Sequence, residues 1–351
     1  MRLELGLIGA TGIAARAVIA PSGSIPEVAA VAVAASDPDR ARTFARRHDL
    51  VRVHRDYAAL IADPALNAVY VSLHTSAHAR WAEAAARAGK HVLVEKPMCL
   101  TVAEATALVT AAGTAGVHVS EAVPTAGHPW QDSVRAMIAD GRFGPLRVMA
   151  TTIEFTAPAA GGYRLRPELG GGIFLDAASY WLQAVQATIG LSGARGRGRR
   201  IRVAPSGVDI EFAAHLERGG VRAELACRFG QRTVAEHEFR FADARVRVRA
   251  FLRPTVGAMP LNIAVRHADG GTAIESFPPI AYYDRQLRRF AELVGDNGPA
   301  RTAELAATAE RIAAMAAIRD DAERHDGARY EAGRHDGVRH DGVRDEAGRV
   351  G

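Results

Sequence analysis

Two stretches of this chain carry side chains whose types and spacing suit proton chemistry at a substrate hydroxyl. In residues 91–97 (HVLVEKP) an apolar run ends abruptly in Glu95, Lys96 and Pro97. Ligands of an open α/β sheet sit outside the carboxyl ends of its strands, so an ammonium at such an end can point into a cleft. Pro97 fixes its own φ and restricts Lys96 to extended conformations. The competing reading is a solvated charged pair capping a strand. The other stretch, residues 163–183 (YRLRPELGGGIFLDAASYWLQ), has three consecutive glycines, which permit close approaches closed to other residues. The helix expected after them sets Asp176 and Tyr180 at i and i+4, on one face, where an acid and a phenol can bracket a hydroxyl. Arg164, upstream in the same stretch, is assigned with Lys96, Asp176 and Tyr180 to the substrate. Here the alternative is that Asp176 caps the helix and Tyr180 packs in a core.

These residues need a frame, and the first part of the chain reads as a nucleotide-binding one. An apolar run over residues 3–8 meets Gly9-Ala10-Thr11-Gly12-Ile13-Ala14, then small and apolar residues at helical spacing: strand, tight turn, helix. Such a turn lets a pyrophosphate approach the backbone and rest on the helix N-terminus, so Gly9, Thr11, Gly12 and Ile13 are candidate cofactor contacts. The GxGxxG match is partial, with Thr11 and Ala14 at its second and third glycine positions. A second buried strand, residues 28–35, leads into Ser36-Asp37-Pro38, where an adenosine ribose is expected. Ser36 and Arg40 suit a 2′-phosphate and point to NADP, whereas an inward-turned Asp37 would point to NAD. His74 follows another apolar strand and, with Glu95 and Lys96, should line the same cleft as a cofactor contact. His78, at the start of the next helix, is either a cofactor contact or a packing and capping residue.

Strands and helices alternate through residue 122, giving about six strands of a doubly wound parallel sheet. Beyond a Pro/Gly-punctuated stretch holding one helix (131–140), strand-like runs appear at 147–155, 207–216, 221–228, 235–241, 246–251 and 262–266, with short links that predict an antiparallel sheet. Trp130, near the junction, reads as a packing anchor. The expected division is therefore 1–122 for the dinucleotide, 123–319 for an α+β substrate and oligomerisation domain, and 320–351 as a tail. That tail repeats Arg every five residues from Arg324, a period fitting neither helix nor strand, and predicts disorder.

Composition excludes several function classes. Cys99 and Cys227 stand far apart with no CxxC or Cys/His cluster, so neither a disulfide framework nor a metal site is expected. No signal-peptide pattern or bilayer-length apolar run is present, which predicts a cytoplasmic protein away from membranes. The net charge of +5 is modest, and its densest cluster, residues 195–202 (RGRGRRIR), lacks interleaved aromatics. It reads as a solvated loop, with no nucleic-acid partner.

With GLIGATGIA, AGKHVLVEKP and ELGGGIFLDAASYW in this order, the chain resembles the Gfo/Idh/MocA oxidoreductases over residues 3–318. Tyr180 and the segment SEAVPTAGHPW are similar to the branch holding dimeric dihydrodiol dehydrogenases and some xylose dehydrogenases. The resemblance implies a Rossmann domain joined to an open-faced, mostly antiparallel sheet, with residues 282–318 closing back beside the nucleotide domain. It also implies that Lys96 is the catalytic lysine and that Asp176 and Tyr180 complete the site. The implied reaction is NAD(P)-dependent interconversion of a secondary alcohol and a ketone on a sugar, cyclic polyol or ring diol. A cofactor-binding sensor and a non-redox enzyme using NAD transiently are the alternatives. Tyr180 is expected to carry the proton, its pKa lowered from about 10 by the Lys96 ammonium, with Lys96 itself as the rival donor. An apolar open sheet face is expected to drive assembly into a homodimer or tetramer.

Overall fold

The computed structural model describes residues 2–296 and 298–337, with backbone alone for 326–337. Among these residues no helix is long and apolar enough to cross a membrane.

The N-terminal sheet has six parallel strands, β1 (Leu3–Ile8), β2 (Val28–Ala34), β3 (Arg52–Val53), β4 (Ala68–Val71), β5 (His91–Glu95) and β6 (Val119–Ala122), in the order β3-β2-β1-β4-β5-β6. Helices cover both faces, which is why the central strands are continuous apolar runs; every residue of β4 is buried. The order reverses between β1 and β4, so the crevice lies beyond Ile8 and Val71, with the end of β5 alongside. The strand-alternation reading is borne out here.

The second sheet has eight strands: β7 (Leu146–Thr156), β8 (Arg195–Val203), β9 (Asp209–Arg218), β10 (Val221–Gly230), β11 (Val234–Phe241), β12 (Ala244–Arg249), β13 (Met259–His267) and β14 (Thr272–Ile280), ordered β14-β13-β12-β11-β7-β10-β9-β8. All pairs are antiparallel except β7 with β10. Its inner face packs on the helices Pro129–Asp140 and Ile173–Thr188 through Phe174 stacked on Phe212, and through fully buried Trp130 and Trp181. Trp130 is thus the anchor expected.

Several expectations need correction. Residues 195–202 are not a loop but the edge strand β8. Gly196 and Gly198 face the last helix so closely that a Cβ on either would collide with Ile318, while Arg195, Arg197 and Arg199 alternate outward. Low intrinsic strand preference is overridden by this packing. β14 was not anticipated because it holds Pro278 and Pro279, which an edge strand tolerates. The outer sheet face is charged rather than apolar: Glu154 accepts from Arg228 at 2.6 Å, Glu238 lies between Arg240 and Arg247, and Arg222 reaches Glu224 at 3.0 Å.

The last helix runs Pro299–Gly337, past the boundary expected at 320. Ile318 and Ala322 are buried, and Asp321 accepts from Gly198 N at 3.1 Å, so docking on β8 carries the helix into the repeat segment. The remainder of the expected tail, 338–351, lies outside the described residues.

Candidate active site

Lys96 leaves the end of β5 and points at the first turn of helix Ile173–Thr188. Its Nζ donates to Asp176 Oδ1 at 2.6 Å and to the Asp176 carbonyl at 2.7 Å, and Arg164 Nε donates to the other carboxylate oxygen at 2.7 Å. The Lys96 and Asp176 side chains are 9% and 11% exposed. Burial opposes charge on both, but the pairing outweighs it: Lys96 is held above the ordinary lysine range, and Asp176 below the ordinary carboxylate range by Lys96 and Arg164. The pair is therefore ionised at neutral pH.

Tyr180, one turn beyond Asp176, presents its ring to Lys96, with Nζ 5.0 Å from the centroid. The expected lowering of its pKa does not occur. Burial pushes the phenol up, helped by the Glu95 and Asp176 carboxylates, and this outweighs the downward pull of the Lys96 ammonium. Tyr180 is a neutral phenol here.

The three glycines each have a reason. Gly170 and Gly172 have φ of 72° and 119°; a Cβ on Gly170 would lie 2.8 Å from Thr75 Cβ, and one on Gly172 would clash with the Asp209 carboxylate. A Cβ on Gly171 would meet the Arg164 carbonyl at 2.7 Å. The helix has no side-chain cap of its own, and Asp209 supplies one, accepting from Phe174 N at 2.7 Å. Glycine thus lets the segment fold tightly enough to bring Arg164 onto Asp176.

On the nucleotide side, Gly9 has φ 114°, and a Cβ there would lie 2.7 Å from the Ser72 carbonyl. Thr11 caps the following helical stretch, accepting from Ala14 N at 3.2 Å and bonding Ser72 Oγ at 2.9 Å. Gly12 faces open space, leaving the helix start accessible, as a pyrophosphate requires. Arg40 donates to Ser36 Oγ at 3.1 Å, while Asp37 accepts from Asp39 N at 2.9 Å as the cap of its own helix. Both sides open into one cleft of about 1640 Å³, lined by Gly9, Thr11, Gly12, Ile13, Ser36 and Arg40 at one end and by Lys96, Arg164, Asp176 and Tyr180 at the other. The residues present fit a dinucleotide.

His74, His78 and Glu95 also line the cleft, and each is held by hydrogen bonds within the protein. The His78 ring nitrogens face the carbonyls of Pro97 at 2.9 Å and Leu73 at 3.1 Å, so the neutral ring sits between the loops after β4 and β5 and donates to one of them. His74 Nδ1 bonds Ser76 Oγ at 3.0 Å, and Glu95 is bonded by buried Tyr70. Tyr163, Arg16 and Tyr283 line the cleft too and were not anticipated, since nothing in their local spacing marks them. Tyr163 does carry one signal, its position beside Arg164, whose guanidinium lies 4.8 Å from its ring.

Residues 3–123 match the family described as an oxidoreductase family with an NAD-binding Rossmann fold, and residues 132–249 match the GFO/IDH/MocA C-terminal domain. A dTDP-3,4-didehydro-2,6-dideoxy-alpha-D-glucose 3-reductase of Streptomyces antibioticus is 32% identical over 331 residues, covering 91% of this chain and 98% of that one. An NADP(+)-dependent D-xylose 1-dehydrogenase of Haloferax volcanii is 30% identical over 83% of this chain and 89% of its own length. Among solved structures, a 3-ketoreductase of Actinomadura kijaniata in complex with NADP and TDP-benzene superposes with a TM-score of 0.84. It is 25% identical and covers 92% of this chain and 98% of its own.

Proposed function

The chain belongs to the Gfo/Idh/MocA oxidoreductases, and from that premise we propose that it uses NADP(H) to interconvert a secondary alcohol and a ketone on a sugar, cyclic polyol or ring diol. The observation that carries this is the single cleft joining the Gly9–Gly12 turn to the Lys96–Asp176–Tyr180 cluster. Relatives named as a keto-sugar reductase and an NADP(+)-dependent xylose dehydrogenase support the substrate class and the cofactor. In this reading residues 1–122 hold the nucleotide and 123–319 shape the substrate side.

When bound, NADP(H) supplies or takes up the hydride. The chain's own residues handle the oxygen. In reduction, the neutral Tyr180 phenol donates its proton to the substrate oxygen, a transfer typically contributing ~10²- to 10⁴-fold. The Lys96 ammonium stabilises negative charge developing on that oxygen. Asp176 holds Lys96 in place, and lone pairs not used by Lys96 and Arg164 accept from a neighbouring hydroxyl. We place the enzyme in the cytoplasm, where its two buried, unpaired cysteines suit a reducing milieu, and as a homo-oligomer associating through the outer sheet face.

Loss of reduced-cofactor absorbance with a panel of keto sugars and cyclic ketones is the test. Oxidation of NADPH that depends on a ketone supports the reading. Tight NADPH binding with no turnover on any carbonyl would instead favour a sensor.

A further inference from the structure

Glu121, on β6, is a buried carboxylate with every partner satisfied, and its partners flank the site residues. Its Oε1 accepts from Met98 N at 3.2 Å and from Ser179 Oγ at 3.0 Å. Met98 lies two residues after Lys96, and Ser179 immediately precedes Tyr180. Its Oε2 accepts from Arg311 Nη2 at 3.0 Å and Nε at 3.3 Å; the Glu121 and Arg311 side chains are 1% and 7% exposed. Arg311 in turn donates to Gln186 Oε1 at 2.7 Å, further along the helix that carries Asp176 and Tyr180.

One carboxylate thus joins the loop bearing Lys96, the helix bearing Asp176 and Tyr180, and the final helix. Lys96 and Asp176 meet in the cleft across the same two elements that Glu121 bonds from behind. We infer that Glu121, backed by Arg311, is a positioning residue that sets the distance between Lys96 and the Asp176–Tyr180 face. This rests on the proposed reductase reading for its kinetic consequence, though not for its geometric one. A glutamine at 121 substitutes poorly: turned one way its NH₂ group faces the Arg311 guanidinium, and turned the other it faces the Met98 N–H, leaving only the Ser179 hydroxyl able to accept from it.

Three variants test this: Ser179→Ala, Glu121→Gln and the charge-balanced pair Glu121→Gln with Arg311→Met. NADPH-binding stoichiometry reports the folded fraction, and Lys96 acylation by an amine reagent, followed by peptide mass spectrometry, reports how firmly the ammonium is held. Ser179→Ala should bind NADPH at full stoichiometry with KM changed by no more than about twofold. Its kcat per bound NADPH should fall about tenfold, as small misplacements of reacting groups do. The paired variant should regain melting temperature lost in Glu121→Gln without regaining kcat, and Lys96 should be acylated faster in all variants that fold. Unchanged kcat per bound NADPH and unchanged Lys96 acylation in Ser179→Ala and the paired variant would overturn the inference. If the wild type turns over no carbonyl, the reductase reading fails, and the acylation rates still decide this one.

Discussion

Arg40 donates to the Ser36 hydroxyl at 3.1 Å, in the turn after β2 where the adenosine ribose of a Rossmann dinucleotide belongs. Asp37, the residue that could have repelled a 2′-phosphate, spends its carboxylate on Asp39 N and Arg40 N as a helix cap. A hydroxyl and a guanidinium are thus left facing the position.

NADPH should therefore bind more tightly than NADH. Arg40→Ala should weaken NADPH about 10- to 100-fold, the range for losing a hydrogen bond to a charged group, and leave NADH nearly unchanged. Fluorescence titration of both reduced cofactors checks this. Tighter NADH binding in the wild type would mean that Asp37 leaves its cap.

Acid should destabilise the fold through buried histidines before it reaches the carboxylates. His118 and His128 are held near about 4 and His237 near about 3, chiefly by burial. Because these folded values lie below the ordinary ~6.5, the unfolded chain takes up the protons first. Stability should be full above about 6.5 and fall as pH drops toward 4, with a slope of up to about 1.4 kcal/mol per pH unit for each histidine. Melting temperatures across this range check it; a flat profile between pH 7 and 5 would contradict it.

Self-association through the outer sheet face should respond to salt. The face displays Arg228 with Glu154, Arg222 with Glu224, and Glu238 between two arginines, so contacts between copies would be made by charges rather than by an apolar surface. Screening shortens the Debye length from about 10 Å at 0.1 M to about 3 Å at 1 M salt. Light scattering should show an oligomer at low salt that loosens at high salt. A monomer under both conditions would remove assembly from the account, and a salt-independent oligomer would put the contact elsewhere.

What could be read from the chain was what is local in it. The strand–turn–helix at Gly9–Ala14, the strand end at Lys96 and the i, i+4 spacing of Asp176 and Tyr180 are contiguous, and each keeps its expected place. What could not be read depends on distant partners. The cap supplied by Asp209 comes from 35 residues beyond Phe174, and the Glu121–Arg311 pair spans 190 residues. Residues 195–202, whose composition suits a loop, form a strand through pairing with β9 and packing of Ile318 over their glycines. The charge of the outer sheet face emerges only from strand register, which sets Glu224 opposite His215 and Arg228 opposite Glu211. The direction of the Tyr180 shift likewise depends on how deeply the packed fold buries the phenol, which the local spacing does not show.

That last point makes the division of labour between Tyr180 and Lys96 testable. Burial keeps the phenol protonated well into alkali, so ketone reduction should not lose its donor as pH rises from 6 to 9, while alcohol oxidation, which needs the phenolate as base, should climb with pH. Tyr180→Phe keeps the ring over Lys96 and removes only the hydroxyl. It should lower kcat for reduction by about 10²-fold or more, with NADPH binding retained. Lys96→Met removes the charge that stabilises the oxygen and leaves Asp176 paired with Arg164 alone; it should abolish measurable turnover while the protein still binds cofactor. Asp176→Asn should cost both activity and stability, because Lys96 would then be a buried cation without its counter-charge, a loss on the order of 3 kcal/mol or more. Near-normal reduction by Tyr180→Phe, together with a dead Lys96→Met, would move the proton to the lysine and reduce Tyr180 to the surface against which that lysine packs.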